Sequence, residues 1–290
     1  MRRFVPVFAT ITTVLLGISA PGLAQTRTAD SVMAAARAAL GGEARIAAVK
    51  TFIANGRTRQ VRGDNLIPIE FEIQAELPDK YSRRDEFPAQ DAGPTTAGFV
   101  GDQLVLIPRP VPPPPRPGMP APPPGAMEAQ LRARLMQSKQ DFARLMLGMF
   151  AGSAPNFPLT YTYVGQAEAP QGKADVVDVS GPANFKARLF IGADGLPIML
   201  SWQGPAGPPA RPGAMGVTPP PGASVAPAPP VAPAAPEQRL FFADYKAVDG
   251  LKLPFRIRRA AGAETTEETI FDRYRINAKV DPRRFDTTAK

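Results

Sequence analysis

The sequence predicts an α+β fold that is mainly β: one curved antiparallel sheet covered by one or two helices, with two long disordered proline-rich loops. Three observations carry that prediction. Segment after segment alternates apolar and polar residues with period two, the pattern of a strand with one buried face. Short turns containing Gly and Asp separate several of these segments, which favours pairing between neighbours in sequence. Helical spacing is confined to two stretches.

The first element is residues 1–24, which read as an export signal. Arg2 and Arg3 precede an apolar run from Val5 to Ile18, and small residues lead to Ala24 before Gln25, a signal-peptidase pattern. The run is short for a membrane span and is bordered by Pro6 and Pro21, so an uncleaved anchor is the weaker reading. Residues 25–290 read as a single domain, because the chain left after the signal and the proline-rich segments is of single-domain size.

Ser31 to Leu40 is an alanine-rich helix, with Thr28 or Asp30 as cap and Gly41-Gly42 as stop. Strands are predicted over 49–61 and 67–77. In the second, Ile67, Ile69, Phe71, Ile73, Ala75 and Leu77 alternate with Pro68, Glu70, Glu72, Gln74 and Glu76. A further strand is predicted over 98–107. Met127 to Phe150 is the long helix: Leu131, Leu135, Phe142, Leu145, Met146 and Met149 recur at helical spacing, with Arg132, Arg134, Lys139 and Arg144 mostly off that stripe. The stripe fits core packing first and an adaptable, methionine-rich lipid-facing surface second.

Residues 159–164 and 175–179 are strands by propensity. Phe185, Ala187, Leu189 and Ile191 form one strand face, 192–195 a turn, and Ile198, Leu200 and Trp202 the return. The same pattern recurs over 239–248, the turn Asp249-Gly250, 251–259, and 265–276. Segments 108–125 and 204–236 hold most of the 36 prolines. Proline fixes φ and lacks a ladder donor, so neither segment can be core strand or helix. Both read as solvated polyproline-type loops, with docking to a reader of PxxP motifs as the less favoured role.

Composition removes several kinds of chemistry. The chain has no histidine and no cysteine. An imidazole base, a thiolate nucleophile, a disulfide and the commonest metal ligands are therefore excluded. No G-x-S-x-G or S-x-x-K pattern is present. The acidic clusters Asp85-Glu86 and Glu264, Glu267, Glu268 with Asp272 fall at strand ends, where solvated acids are ordinary. The prediction is a protein that is not an enzyme and uses no cofactor and no metal. The formal charge of +8 suits an anionic membrane surface, or equally a soluble protein kept away from neutrality. Nucleic acid is not predicted, since no basic stripe is interleaved with stacking aromatics.

Several stretches resemble a known family. Ala39 to Lys50 leading into a strand that reaches Gly56, Leu77-Pro78-Asp79-Lys80-Tyr81-Ser82-Arg83, Asp244 to Ile257, and Tyr274-Arg275-Ile276-Asn277 followed by Val280-Asp281-Pro282 and Phe285 are similar to the LolA-like superfamily of outer-membrane lipoprotein-sorting and periplasmic lipid-binding proteins. The resemblance implies a half-open barrel with helices closing its mouth and a concave apolar cavity for an acyl chain, lipid or lipoprotein. It implies a carrier or sensor in the periplasm, in contact with the envelope. The two proline-rich insertions depart from the family pattern.

On that reading the cavity wall is Phe71, Ile73, Leu189, Ile191, Leu200, Trp202, Phe255 and Ile257, and the lid helix presents Leu135, Phe142, Met146 and Met149. Trp202, the sole tryptophan, reads as core first and ligand contact second. Arg188, Arg256 and Arg258 fall on the opposite strand face, where they could meet anionic membrane. The alternative partner is an envelope protein, bound by the proline-rich loops or a sheet edge.

Overall fold

The computed structural model describes residues 27–88, 93–110, 123–169, 172–204 and 235–287. Residues 1–24, read above as an export signal, and the central parts of both proline-rich segments lie outside the described residues.

The fold is one sheet of twelve antiparallel strands with helices on its concave side. The chain begins with α1 (Ala29–Ala39) and α2 (Glu43–Ala47), then runs outward through β1 (Thr51–Arg62), β2 (Asn65–Glu76), β3 (Lys80–Glu86), β4 (Thr95–Val100) and β5 (Gln103–Ile107). Helix α3 (Ala126–Phe150) crosses to the far edge. The chain then returns through β6 (Thr160–Ala169), β7 (Gly172–Gly181), β8 (Phe185–Ile191), β9 (Pro197–Gln203), β10 (Glu237–Val248), β11 (Leu251–Ala261) and β12 (Glu264–Ile276), which pairs with β1. The sheet order is β5-β4-β3-β2-β1-β12-β11-β10-β9-β8-β7-β6. Strands spaced about 4.8 Å apart put the two edges about 53 Å apart along the sheet, whereas a 25-residue helix is about 37 Å long. A helix that packs on β4 and β5 as well as on β9 and β11 therefore requires the sheet to curl around it.

Local chemistry accounts for the helix ends and turns. Thr28 caps α1: its hydroxyl accepts from Ser31 N at 3.2 Å, and the Ser31 hydroxyl accepts from Thr28 N at 3.0 Å. Asp249 and Gly250 both take positive φ, 50° and 80°, as a tight hairpin turn requires. The predicted strand 98–107 is a hairpin, β4 and β5, broken at Gly101 with φ 54°. Besides the short 3-10 turn Pro282–Phe285, two elements have no counterpart in the sequence reading. One is the five-residue α2. The other is β3, whose sequence KYSRRDE has no apolar alternation yet lies between β2 and β4.

The outer face has its own buried row. Ile53, Gln74, Ser82, Gly98 and Val105 are cross-strand partners, and all are buried. A 3-10 turn, Pro282–Phe285, packs on β3 and β4. The tail is tied down where Asp281 N donates to Gln74 Oε1 at 2.8 Å and Arg284 meets Glu72 at 3.0 Å. Among the described residues no helix is long and apolar enough to cross a membrane.

The concave core centres on the second half of α3. From Phe142 to Phe150 every residue except Leu145 is buried, while residues 126–141 are half-buried or exposed. Gly148 meets the ring of Phe242 on β10, where a Cβ would lie 2.1 Å from Cε1. The Tyr245 hydroxyl shares its proton between Gly148 O at 3.0 Å and Pro197 O at 2.8 Å, and burial pushes this phenol's pKa far up.

Two effects compete in Gly148→Ala. Alanine is the better helix former by about 1 kcal/mol, but overpacking a dense core costs about 1–3 kcal/mol. The expected outcome is a net loss of about 1 kcal/mol, read as a lower midpoint in urea unfolding. An unchanged or raised midpoint would mean that the Phe242 ring has room to move.

Candidate functional site

The concave face changes character along the strands. Toward one end it is solid core: Phe52, Ile191 and Leu253 are at most 2 % exposed. Toward the other end a cavity of about 220 Å³ separates the middle of α3 from the sheet. Its floor is apolar, formed by Ile73, Leu240, Phe242, Ile257 and Phe271 with Leu145 of the helix. Its rim is charged, formed by Arg83, Asp141, Arg259 and Glu267.

A second concavity of about 630 Å³ lies beside it. Leu104 and Leu106 of edge strand β5 face Met127, Leu131 and Leu135 of α3 there. Leu131, Leu135, Ser138 and Leu145 are three, four or seven residues apart, so one face of α3 lines both spaces.

The predicted wall residues divide between these regions. Ile73 and Ile257 border the cavity. Phe71 packs edge-on against Phe271 at 5.3 Å, beneath the Arg83 guanidinium at 4.8 Å. Leu189, Ile191 and Leu200 lie in the packed core, and Phe255 is half-buried against Tyr274 at 5.2 Å. Trp202 is half-buried beside Arg144 of the helix. On α3, Phe142 closes an aromatic cluster with Tyr81 and Phe99, at 4.8 and 5.6 Å, and Met146 and Met149 are buried. Leu135 is half-buried in the apolar groove.

The rim is ordered by hydrogen bonds. Arg83 Nη2 donates to Thr58 Oγ1 at 3.2 Å, Thr58 and Thr269 share a 2.8 Å bond, and Thr269 Oγ1 donates to Glu267 Oε1 at 3.2 Å. The only direction that satisfies all three runs from Arg83 through Thr58 and Thr269 to Glu267. Each buried hydroxyl then donates once and accepts once, which removes the penalty of an unpaired polar group. Arg83 also binds Asp85 at 2.7 Å. Glu267 is thus not the solvated strand-end acid that its position in the sequence suggests.

Arg144 is a second departure, because it lies on the buried side of α3 with its side chain 5 % exposed. Its Nη1 donates to Asp141 at 2.9 Å and Nη2 to Gln140 at 3.4 Å. The guanidinium lies over Trp202 at 4.3 Å and near Phe185 at 5.2 Å. Burial pushes its pKa down, partly offset by Asp141. The outer-face arginines are engaged locally. Arg188 forks onto Asp178 at 2.7 and 3.0 Å, Arg256 meets Asp244 at 3.1 Å, and Arg258 binds Thr265 at 3.1 Å while lying on the Phe241 ring.

Sequence reasoning missed Arg83, Arg144, Arg259 and Glu267. For Arg259 a signal existed, since it follows Ile257 by two residues and so shares its face.

This geometry defines a class: half-open antiparallel barrels with a helix seated in the concave side. No protein-family model and no curated protein sequence matches the chain. Among solved structures it is similar to a LolA superfamily protein from Nitrosomonas europaea, with 12 % identity and a TM-score of 0.51 over 90 % of this chain and 98 % of that one. It is also similar to a DUF1329 family protein from Desulfovibrio piger ATCC 29098, at 8 % identity and a TM-score of 0.47 over 90 % of this chain and 98 % of that one. A domain named for outer membrane lipoprotein sorting, from Vibrio parahaemolyticus, matches at 8 % identity and 0.47 over 88 % and 96 %. The likeness to the Nitrosomonas europaea protein, with the curled twelve-strand sheet, shows the fold to be a LolA-like half-barrel.

The Arg144–Asp141 pair generates a test of asymmetry. Asp141→Asn leaves a buried guanidinium without its counter-charge. It is expected to cost about 1–3 kcal/mol, less than for a fully buried pair because Asp141 is 37 % exposed. Arg144→Met removes the charge and keeps the contact with the rings, so stability should stay within about 1 kcal/mol of the parent or rise. Urea unfolding of the two variants checks the order, and equal losses would contradict it.

Proposed function

We propose that this protein is a non-catalytic periplasmic carrier or sensor that takes up the acyl chain of a lipid or lipoprotein on its concave face. The N-terminal half of α3 acts as the moving lid. The observation that carries this reading is that one face of α3 lines both the 630 Å³ groove and the 220 Å³ cavity, while only the second half of the helix is locked into core. Ligand sites usually occupy about 300–1,000 Å³. The cavity alone takes only part of a chain, and more requires residues 126–141 to lift from the sheet. The energetic return is about 0.8 kcal/mol per buried CH2, so a twelve-carbon chain brings about 9 kcal/mol before the cost of ordering it.

Absence of catalysis is supported by the engagement of the acids at and beside the rim, since Asp85, Asp141 and Glu267 each have a fixed partner. The periplasmic location rests on residues 1–24, and contact with anionic membrane on the positive charge. A protein-binding scaffold is the second reading. It rests on β5 and β6, which end the sheet and each offer a strand edge to a partner.

Native mass spectrometry of the protein purified from its own envelope tests the first reading. The expected result is a stoichiometric lipid or acylated peptide, lost in Leu135→Glu, a change at a half-buried position that leaves the locked half of α3 intact. A clean apo mass that stays unchanged after incubation with envelope-lipid vesicles would sink the carrier reading and leave the scaffold.

A further inference from the structure

Two guanidinium groups lie over the Trp202 ring. Arg144 lies 4.3 Å from the ring centroid and Arg259 lies 5.6 Å from it. They come from different elements, α3 and β11. Each carries five N–H donors and no acceptor. The acceptors that meet them are few. Asp141 and Gln140 take two donors of Arg144, its buried Nε has no partner, and the Arg259 guanidinium has no carboxylate within ion-pair distance among the described residues.

Glu267 is the cross-strand partner of Arg259, but its carboxylate is turned into the hydrogen-bond chain with Thr269. Arg259 lies close enough to Arg144 to push that group's pKa further down, so the two cations near the same indole repel. Such a pair, with Arg259 on the rim of the apolar cavity and Arg144 bordering the neighbouring concavity beside Trp202, is short of one anion. Arg259 itself lines the 220 Å³ cavity, so an anion beside it would sit at the end of a chain lying on Ile257 and Phe242.

We infer that Arg259 and Arg144, beside Trp202, form a head-group subsite for an oxyanion, phosphate or carboxylate, borne on the end of the alkyl chain held in the cavity. This rests on the carrier reading and narrows it to anionic amphiphiles. The planar guanidinium forks suit a phosphate or carboxylate better than a neutral hydroxyl. Glu267 is the opposing charge: an anion on Arg259 must come near its carboxylate, so neutralising Glu267 should strengthen binding.

Because Trp202 is the sole tryptophan, its fluorescence reports this site alone. The experiment is titration of the full mature chain with dodecyl phosphate, dodecanol and inorganic phosphate, each amphiphile below its micellar concentration. Dodecyl phosphate is expected to bind at least tenfold more tightly than dodecanol. Arg259→Gln should erase that preference while leaving dodecanol binding in place, and Glu267→Gln should increase it several-fold. Arg144→Met is the second variant and should weaken dodecyl phosphate alone.

Equal affinity for dodecanol and dodecyl phosphate would overturn the head-group subsite and leave the carrier standing. Inorganic phosphate binding as tightly as dodecyl phosphate would overturn it in favour of a free-anion site. Failure of all three probes to bind would overturn the subsite and the carrier reading together. A loss of dodecyl phosphate affinity in Glu267→Gln would reverse the sign of the argument and reject it.

Discussion

Everything on the concave side depends on how α3 bridges the two edges of the sheet. The chain leaves the sheet at β5 and re-enters it at β6, the strands farthest apart, so the helix must cross the face it covers. Curling the sheet brings β4 and β9 to the same helix. The second half of α3 then meets strands on all sides, and small or flexible residues fit it there: Ala143, Met146, Gly148 and Met149. The first half meets only the β5 side and retains a free face. A core that is dense at one end and open at the other follows from that single crossing.

The open end is not simply apolar. A hydrogen-bond chain of two threonines joins Arg83 to Glu267 across three strands, and every hydroxyl in it is satisfied. Interior polar groups of this kind gain little net stability but are costly when broken, so they fix one arrangement of the wall. Around Trp202 the accounting is incomplete, since two arginines share one ring and few acceptors. The contrast between a satisfied network and an unsatisfied one on the same concave face is what sets the proposed head-group subsite apart from the wall.

Much of the fold was legible because most strands bury one face only. The alternation in β2, β8, β9 and β11 placed Phe71, Ile73, Leu189, Leu200 and Ile257 on the same side of the sheet. The strand that failed to show itself is β3, where Tyr81, Arg83 and Asp85 face the concave side. Two of these three inward residues are charged, and Arg83 reaches Glu267 only through Thr58 and Thr269 of other strands, partners that hydropathy cannot register. Arg144 was misplaced for the same reason. On a helix drawn alone it falls outside the apolar stripe, yet helix α3 is enclosed at that level and has no outside.

Residue order alone carried the kind of layers: period-two strands, two amphipathic or small-residue helices, turns at 192–195 and Asp249-Gly250, and chemistry restricted to residues other than His and Cys. Those properties are local, set by side-chain period, backbone preference and residue type. Folding in three dimensions settles which strand follows α3 across the sheet, which end of the concave face stays open, and which charges meet there. Those depend on distances between residues far apart in the chain, such as Arg83 with Glu267 and Arg144 with Trp202. No local pattern encodes a distance that exists only after the sheet has curled.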